Sequence, residues 1–166
     1  RQYKGLDVLI RANKYLKEKL SGYQILICGE SYQDENKYNK LIKENSKNNE
    51  IRWINQYIPD SEVSTYFSAS DVVVLPYKNA SQSGIIPLSY SYKRPVIASD
   101  IKGIQEMIID QETGFLFEKN NSKALSESII DFFSNKKNYN ENIIDFRKQF
   151  SWNYFIEGVL DLYKCL

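Results

Sequence analysis

Tyr23-Gln24-Ile25-Leu26-Ile27-Cys28-Gly29 is an apolar run closed by glycine, set between an amphipathic stretch at 6–20 and a polar one at 34–46. A short run of this kind between two helical patterns predicts a strand buried on both faces of a parallel sheet. Upstream, Leu6, Leu9, Ile10, Leu16 and Leu20 recur near helical spacing, and Gly22 follows as a stop signal. Downstream the alternation repeats as strand 51–54, helix 59–68, strand 71–76, helix 84–92, strand 95–98, helix 104–109 and strand 114–117. Strands alternating with helices specify a doubly wound α/β domain, its parallel strands joined by right-handed crossovers. After Phe117 the pattern is purely helical: Ser122 is the expected cap of a helix to 134, and segments 139–150 and 151–166 complete a helical cap over about 122–166.

The 166 residues, 42% hydrophobic and 26% charged, suit one domain over 1–166 with one core. A chain of this size buries roughly 70% of its unfolded surface. There is no histidine, which excludes Ser-His-Asp and Cys-His catalysis, His-liganded zinc and any imidazole base. Cys28 and Cys165 are too few and too far apart for a metal cluster, and they suit a reducing, cytoplasmic setting. A net charge of +1 gives no argument for binding nucleic acid, and no apolar stretch encodes membrane association. The chain opens Arg1-Gln2-Tyr3, without methionine, as expected of a fragment of something longer.

In an open parallel sheet the ligand sits outside the carboxyl ends of the strands, so the loops after Gly29, Ile54, Pro76 and Ala98 define the site. Gly29-Glu30-Ser31-Tyr32 lacks the G-x-G-x-x-G spacing of a dinucleotide site, and no P-loop occurs. Asn79-Ala80-Ser81-Gln82-Ser83-Gly84-Ile85 is a small-residue loop leading into a helix, where free N–H groups suit a phosphate. The same residues also read as a plain helix cap, Ser81 or Ser83 accepting from first-turn amides.

Three segments in order resemble the C-terminal, Rossmann-like donor-binding domain of retaining group 1 glycosyltransferases of the GT-B fold. Tyr3-Lys4-Gly5-Leu6-Asp7-Val8-Leu9-Ile10-Arg11-Ala12 is similar to K-G-x-x-x-L-I-x-A, and Ser70-Asp71-Val72-Val73-Val74-Leu75-Pro76-Tyr77 to A-D-x-x-V-x-P-S. Lys93-Arg94-Pro95-Val96-Ile97-Ala98, continuing to Gly103-Ile104-Gln105-Glu106-Met107-Ile108, follows G-x-P-V-I-A-x-x-x-G-G-x-x-E-x-I, and Gly114-Phe115-Leu116-Phe117 follows T-G-x-L-x.

The resemblance implies a hexosyltransferase-type enzyme that takes a sugar from a nucleotide-diphosphate sugar, in bacterial polysaccharide or glycoconjugate synthesis. A missing N-terminal domain would bind the acceptor, a saccharide or lipid-linked saccharide. No cofactor and no metal is expected. Lys4 matches the family lysine at the donor diphosphate, where it would stabilise charge on the leaving group. The family arginine would fall before Arg1. Ser83-Gly84-Ile85 matches where backbone amides meet phosphate; Gly29-Glu30 and Asn55-Gln56-Tyr57-Ile58 match the remaining pocket wall. Tyr57 either stacks on a base or packs against the sheet. The family's two glutamates, E-x7-E, are replaced by Ala80 and Leu88, and Ser81, Gln82 or Ser83 are the residues available to substitute. Glu106 matches a family glutamate, but a carboxylate favoured by a helix dipole explains it as well. The alternative is a non-catalytic binding module that kept the fold after losing the two glutamates.

Overall fold

The computed structural model describes residues 1–166 apart from 33–34, 136 and 165–166, so Cys165 lies outside the described residues. A 3₁₀ turn, Gln2–Lys4, enters α1 (Leu6–Leu16), followed by β1 (Ile25–Cys28), α2 (Glu35–Asn45), β2 (Ile51–Ile54) and α3 (Asp60–Ala69). The chain continues through β3 (Val73–Leu75), α4 (Ile85–Ser91), β4 (Val96–Ser99), α5 (Lys102–Gln105) and β5 (Gly114–Phe117). Then come α6 (Ser122–Ser134), α7 (Asn140–Phe146), a 3₁₀ turn Arg147–Phe150, and α8 (Trp152–Lys164).

Every ladder is parallel, as the alternating pattern predicts, but the strands form two sheets rather than one. β1 pairs with β2, Ile25 opposite Ile51, while β3–β4–β5 align Val73 with Val96 and Val96 with Gly114. Helix α1 spans both. Its Val8, Leu9, Ala12 and Leu16 enter the larger core with Leu75, Ile97 and Leu125, and its Ile10 enters a second cluster with Tyr38 and Ile51. The single expected core is therefore two clusters sharing one helix. Ile25 and Ile27 touch both clusters, whereas Trp53 joins only the smaller, which puts β1 rather than β2 on the side of the larger sheet.

The two sheets differ in cover. All four residues of β4 are buried, as a Val-Ile-rich central parallel strand requires. β1 was expected to be buried on both faces and is not: Ile25 and Ile27 are half-buried, while Leu26 and Cys28 are exposed. The apolar run alone does not report whether a second helix covers the sheet, and α3 buries none of its residues.

The helical C-terminal part also divides. The cap of α6 is Asn121, not Ser122; its side chain accepts from the Lys123 and Ala124 amides at 3.1 and 3.0 Å. Leu125 and Ile129 then bury α6 against the core. Phe146 and Phe150 close over the buried ring of Tyr90, whose hydroxyl donates to the Met107 carbonyl at 3.0 Å and lies 2.9 Å from the Thr113 hydroxyl. Burial pushes the Tyr90 phenol up to about 12. Beyond Ser151 the cap ends: every residue of α8 is exposed, Trp152 at 79%.

Candidate functional site at the carboxyl ends of the strands

Gly5 brings the first functional side chain into place. It adopts φ +68°, and a Cβ there would lie 1.7 Å from the Pro76 carbonyl oxygen, so only glycine lets the chain turn into α1 against the end of β3. Two further contacts fix this turn: the Lys78 amide donates to the Tyr3 carbonyl at 2.7 Å, and Lys78 Nζ meets the Asp7 carboxylate at 2.8 Å.

Lys4 is thereby held over Tyr77. Its Nζ donates to Tyr77 Oη at 2.8 Å and stands 4.4 Å from the ring centroid, with the Tyr3 ring at 5.4 Å. Its ammonium has no carboxylate partner among the described residues; the nearby Asp7 is engaged by Lys78 and Arg11. A half-buried cation left in this state favours an anionic ligand.

On its other side Tyr77 Oη lies 3.2 Å from Ser83 Oγ, which also accepts from the Ile85 amide at 3.3 Å. Ser83 is therefore a local backbone-satisfying residue as well as a site hydroxyl, and the two sequence readings of this loop coexist. Ser81, Gln82 and Gly84 are exposed, and Ile85 is half-buried. Gly103 holds the loop from below: a Cβ on it would lie 1.9 Å from the Ser81 carbonyl oxygen, so the loops after β3 and β4 touch through backbone.

The loops after β1 and β2 form a second group. Gly29, at φ +126°, donates to the Ile54 carbonyl, and the Ser31 amide donates to Asn55 Oδ1 at 2.8 Å. Glu30 is exposed and accepts from the Tyr32 hydroxyl at 3.0 Å. That hydrogen bond raises the Tyr32 phenol, while the Arg1 guanidinium opposes the rise. Tyr57 is 68% exposed, so it does not pack against the sheet, and Ile58 is half-buried.

Of the residues singled out in the sequence, Lys4 and Ser83 meet through Tyr77, and Ser81 is tied to the same loop. Gly29 and Glu30 are joined to the β2 loop that carries Tyr57 and Ile58 instead. Of the residues at the glutamate positions, Ala80 packs against the core and Leu88 is half-buried. Tyr77 was not singled out. Tyr77 carries one readable signal: it stands where the resembling motif has serine, directly after the proline that ends the strand.

The hollow lined by Asp71, Arg94, Pro95 and Tyr139 lies at the amino ends of β3 and β4 and contains none of these residues. Among the described residues no three Cys, Asp or Glu side chains gather to hold a metal, and no helix is long and apolar enough to cross a membrane.

Comparison with known proteins bears on the fold and the family. A glycosyltransferase of Methanocaldococcus jannaschii, itself uncharacterised, is 27% identical over 164 residues, covering 97% of this chain and 44% of its own length. The Anabaena protein HepE, solved with UDP, superposes with a TM-score of 0.81 at 17% identity, covering 100% of this chain and 46% of its own. The C-terminal domain of a glycosyl transferase group 1 family protein from Francisella tularensis superposes at 0.79 and 22% identity, covering 90% of this chain and 80% of that domain. The chain thus spans less than half the length of the full-length proteins it matches here. Residues 1–150 match the glycosyl transferases group 1 family, and the protein belongs to it.

Proposed function

We propose that this domain binds the nucleotide-diphosphate sugar for a two-domain glycosyltransferase, holding the diphosphate while a hexose leaves it for an acceptor saccharide or lipid-linked saccharide. One observation carries the reading: the Lys4 ammonium, without a carboxylate partner among the described residues, is linked through the Tyr77 hydroxyl to Ser83 at the carboxyl end of β3. Charge develops on the diphosphate as its bond to the sugar breaks, and a preplaced cation lowers that barrier more than it stabilises the bound donor. This chemistry requires no imidazole, in keeping with a sequence that has none.

The acceptor belongs to the part of such an enzyme that corresponds to the other half of the relatives' length. Binding of UDP by HepE supports a uridine nucleotide as the first donor to test. Synthesis of a bacterial polysaccharide or glycoconjugate in the cytoplasm, with retention of anomeric configuration, is the role that the family resemblance supports.

Calorimetric titration of the chain with UDP, GDP and ADP tests the reading. One of the three is expected to bind, and Lys4→Ala is expected to weaken that binding by about tenfold, the loss of one charge-assisted contact. If the folded domain binds none of them at millimolar concentration, the donor-site reading is wrong.

A further inference from the structure

The geometry points to Tyr77 as a positioning residue that sets both phosphate donors of this site; the inference rests on the donor-site reading above. Tyr77 is 3% exposed, and its hydroxyl sits between Lys4 Nζ at 2.8 Å and Ser83 Oγ at 3.2 Å.

The hydrogens have one consistent assignment. An ammonium has three N–H bonds and no lone pair, so Lys4 donates and Tyr77 Oη accepts. The phenol then has one proton to place, and Ser83 Oγ is the acceptor beside it. Were Ser83 to donate instead, the buried phenol proton would be left without a partner, at the cost of a lost buried hydrogen bond. Ser83 Oγ thus accepts twice, from Tyr77 and from the Ile85 amide at 3.3 Å, which fills its two lone pairs.

Two consequences follow from this assignment. The Ser83 O–H is left as a donor, and two N–H bonds of Lys4 remain unspent. Both groups hang from one oxygen, so they are separated by no more than the two bonds that join them through Tyr77. Neither group has a spare lone pair, which makes the pair selective for an acceptor-only ligand. Oxygens of one phosphate, or of the two phosphates of a nucleoside diphosphate, answer to that description.

Without the hydroxyl, Lys4 is a flexible point charge on a four-carbon stem, and Ser83 is free to turn its proton elsewhere. The phenylalanine ring would still fill the buried space and still lie under the ammonium, so Tyr77→Phe removes the hydroxyl alone.

The test is a double-mutant cycle read by calorimetric titration of UDP, GDP and ADP into the chain and its Tyr77→Phe, Lys4→Met and doubly substituted variants. Tyr77→Phe is expected to weaken diphosphate binding about tenfold, the loss of one charge-assisted hydrogen bond, and to cost clearly less once Lys4 is methionine, when only the Ser83 arm is left for it to set. A merely structural role would give losses that multiply, and that result, or unchanged binding by Tyr77→Phe, overturns the proposal. Ser83→Ala, expected to show the same loss and the same non-additivity with Tyr77→Phe, keeps the test open if Tyr77→Phe fails to fold; additive losses there overturn it equally. A wild-type chain that binds no diphosphate removes the donor-site reading and this inference with it, an outcome distinct from a wild type that binds and a Tyr77→Phe that binds as well.

Discussion

The β3–β4–β5 sheet and the β1–β2 pair are built from the same kind of sequence, short apolar runs between helices, yet only the first is enclosed. Val96, Ile97 and Ala98 are wholly buried, whereas Leu26 on β1 is 39% exposed. The difference passes to the ligand end. Around β3 the chain is held by backbone in contact with backbone, Gly5 on Pro76 and Gly103 on Ser81, and there Lys4, Tyr77 and Ser83 have fixed partners. Around β1 and β2 the loops are joined by one backbone bond, Gly29 to Ile54, and one bond from the Ser31 amide to the Asn55 side chain, and Glu30 and Tyr57 are exposed. On the proposed reading, the groups that meet the diphosphate are carried by the enclosed half.

Two glycines test that contrast most sharply, because they share a backbone conformation and differ in surroundings. Gly5 has φ +68° with the Pro76 carbonyl in the way of any Cβ; Gly22, beside β1, has φ +69° with nothing within 4 Å. Gly22→Ala is expected to cost about 1 kcal/mol, the strain of a left-handed alanine alone. Gly5→Ala adds a backbone clash and is expected to cost more than about 3 kcal/mol while displacing Lys4. Denaturant titrations of both variants measure this; equal losses would show that the two halves are equally yielding.

A smaller effect is expected from truncation of one strand residue in each half. Ile97→Ala, at a fully buried position, should cost about 3 kcal/mol, and Leu26→Ala about 1 kcal/mol. Urea midpoints that fall together would erase the distinction.

What the sequence shows of this contrast depends on the range of each interaction. Strands 51–54 and 114–117 and the order of the helices were legible because burial of apolar side chains imposes its period locally. Splitting of the strands into two sheets was not, since an edge carries no mark of which neighbour it lacks. For the same reason β1 reads as buried on both faces and α8 as part of the helical cap: the apolar pattern is the same whether or not a partner covers it. Lys4 and Ser83 were legible through a family resemblance, and their meeting was not, because it runs through a hydroxyl 73 residues from the lysine. Tyr77, after a strand of valines, reads locally as one more core aromatic. The pattern predicts a helix at 104–109, and α5 occupies Lys102–Gln105; the chain continues from it in single turns, the Met107 amide donating to the Ile104 carbonyl at 2.9 Å. Asn121 and Ser122 are both good caps, and only the geometry decides between them.

The gentlest probe of the contrast is acid. Glu50, just before β2, accepts from the Ser46 hydroxyl at 2.7 Å and the Asn48 amide at 3.1 Å, and these bonds hold its carboxyl at about 2 instead of the usual 4.5. Its backbone carbonyl accepts the Ile25 amide at 2.7 Å, so the same residue closes the turn that aligns β1 with β2. A depressed folded pKa means that the unfolded chain binds the proton more readily. The stabilisation is therefore complete above pH 4.5 and is lost as the pH falls toward 2. For a carboxylate this close to solvent it amounts to about 1 kcal/mol or less. Glu50→Gln should flatten that part of the stability profile. Amide exchange in the wild type should then quicken at Ile25 and Ile51 between pH 4.5 and pH 2 before it changes at Ile97, because the bonds of Glu50 tie the turn between α2 and β2 to β1. Exchange that rises at Ile97 first, or a Glu50→Gln profile as steep as the wild type's, would place the acid-sensitive part of the molecule in the enclosed half and reverse the comparison.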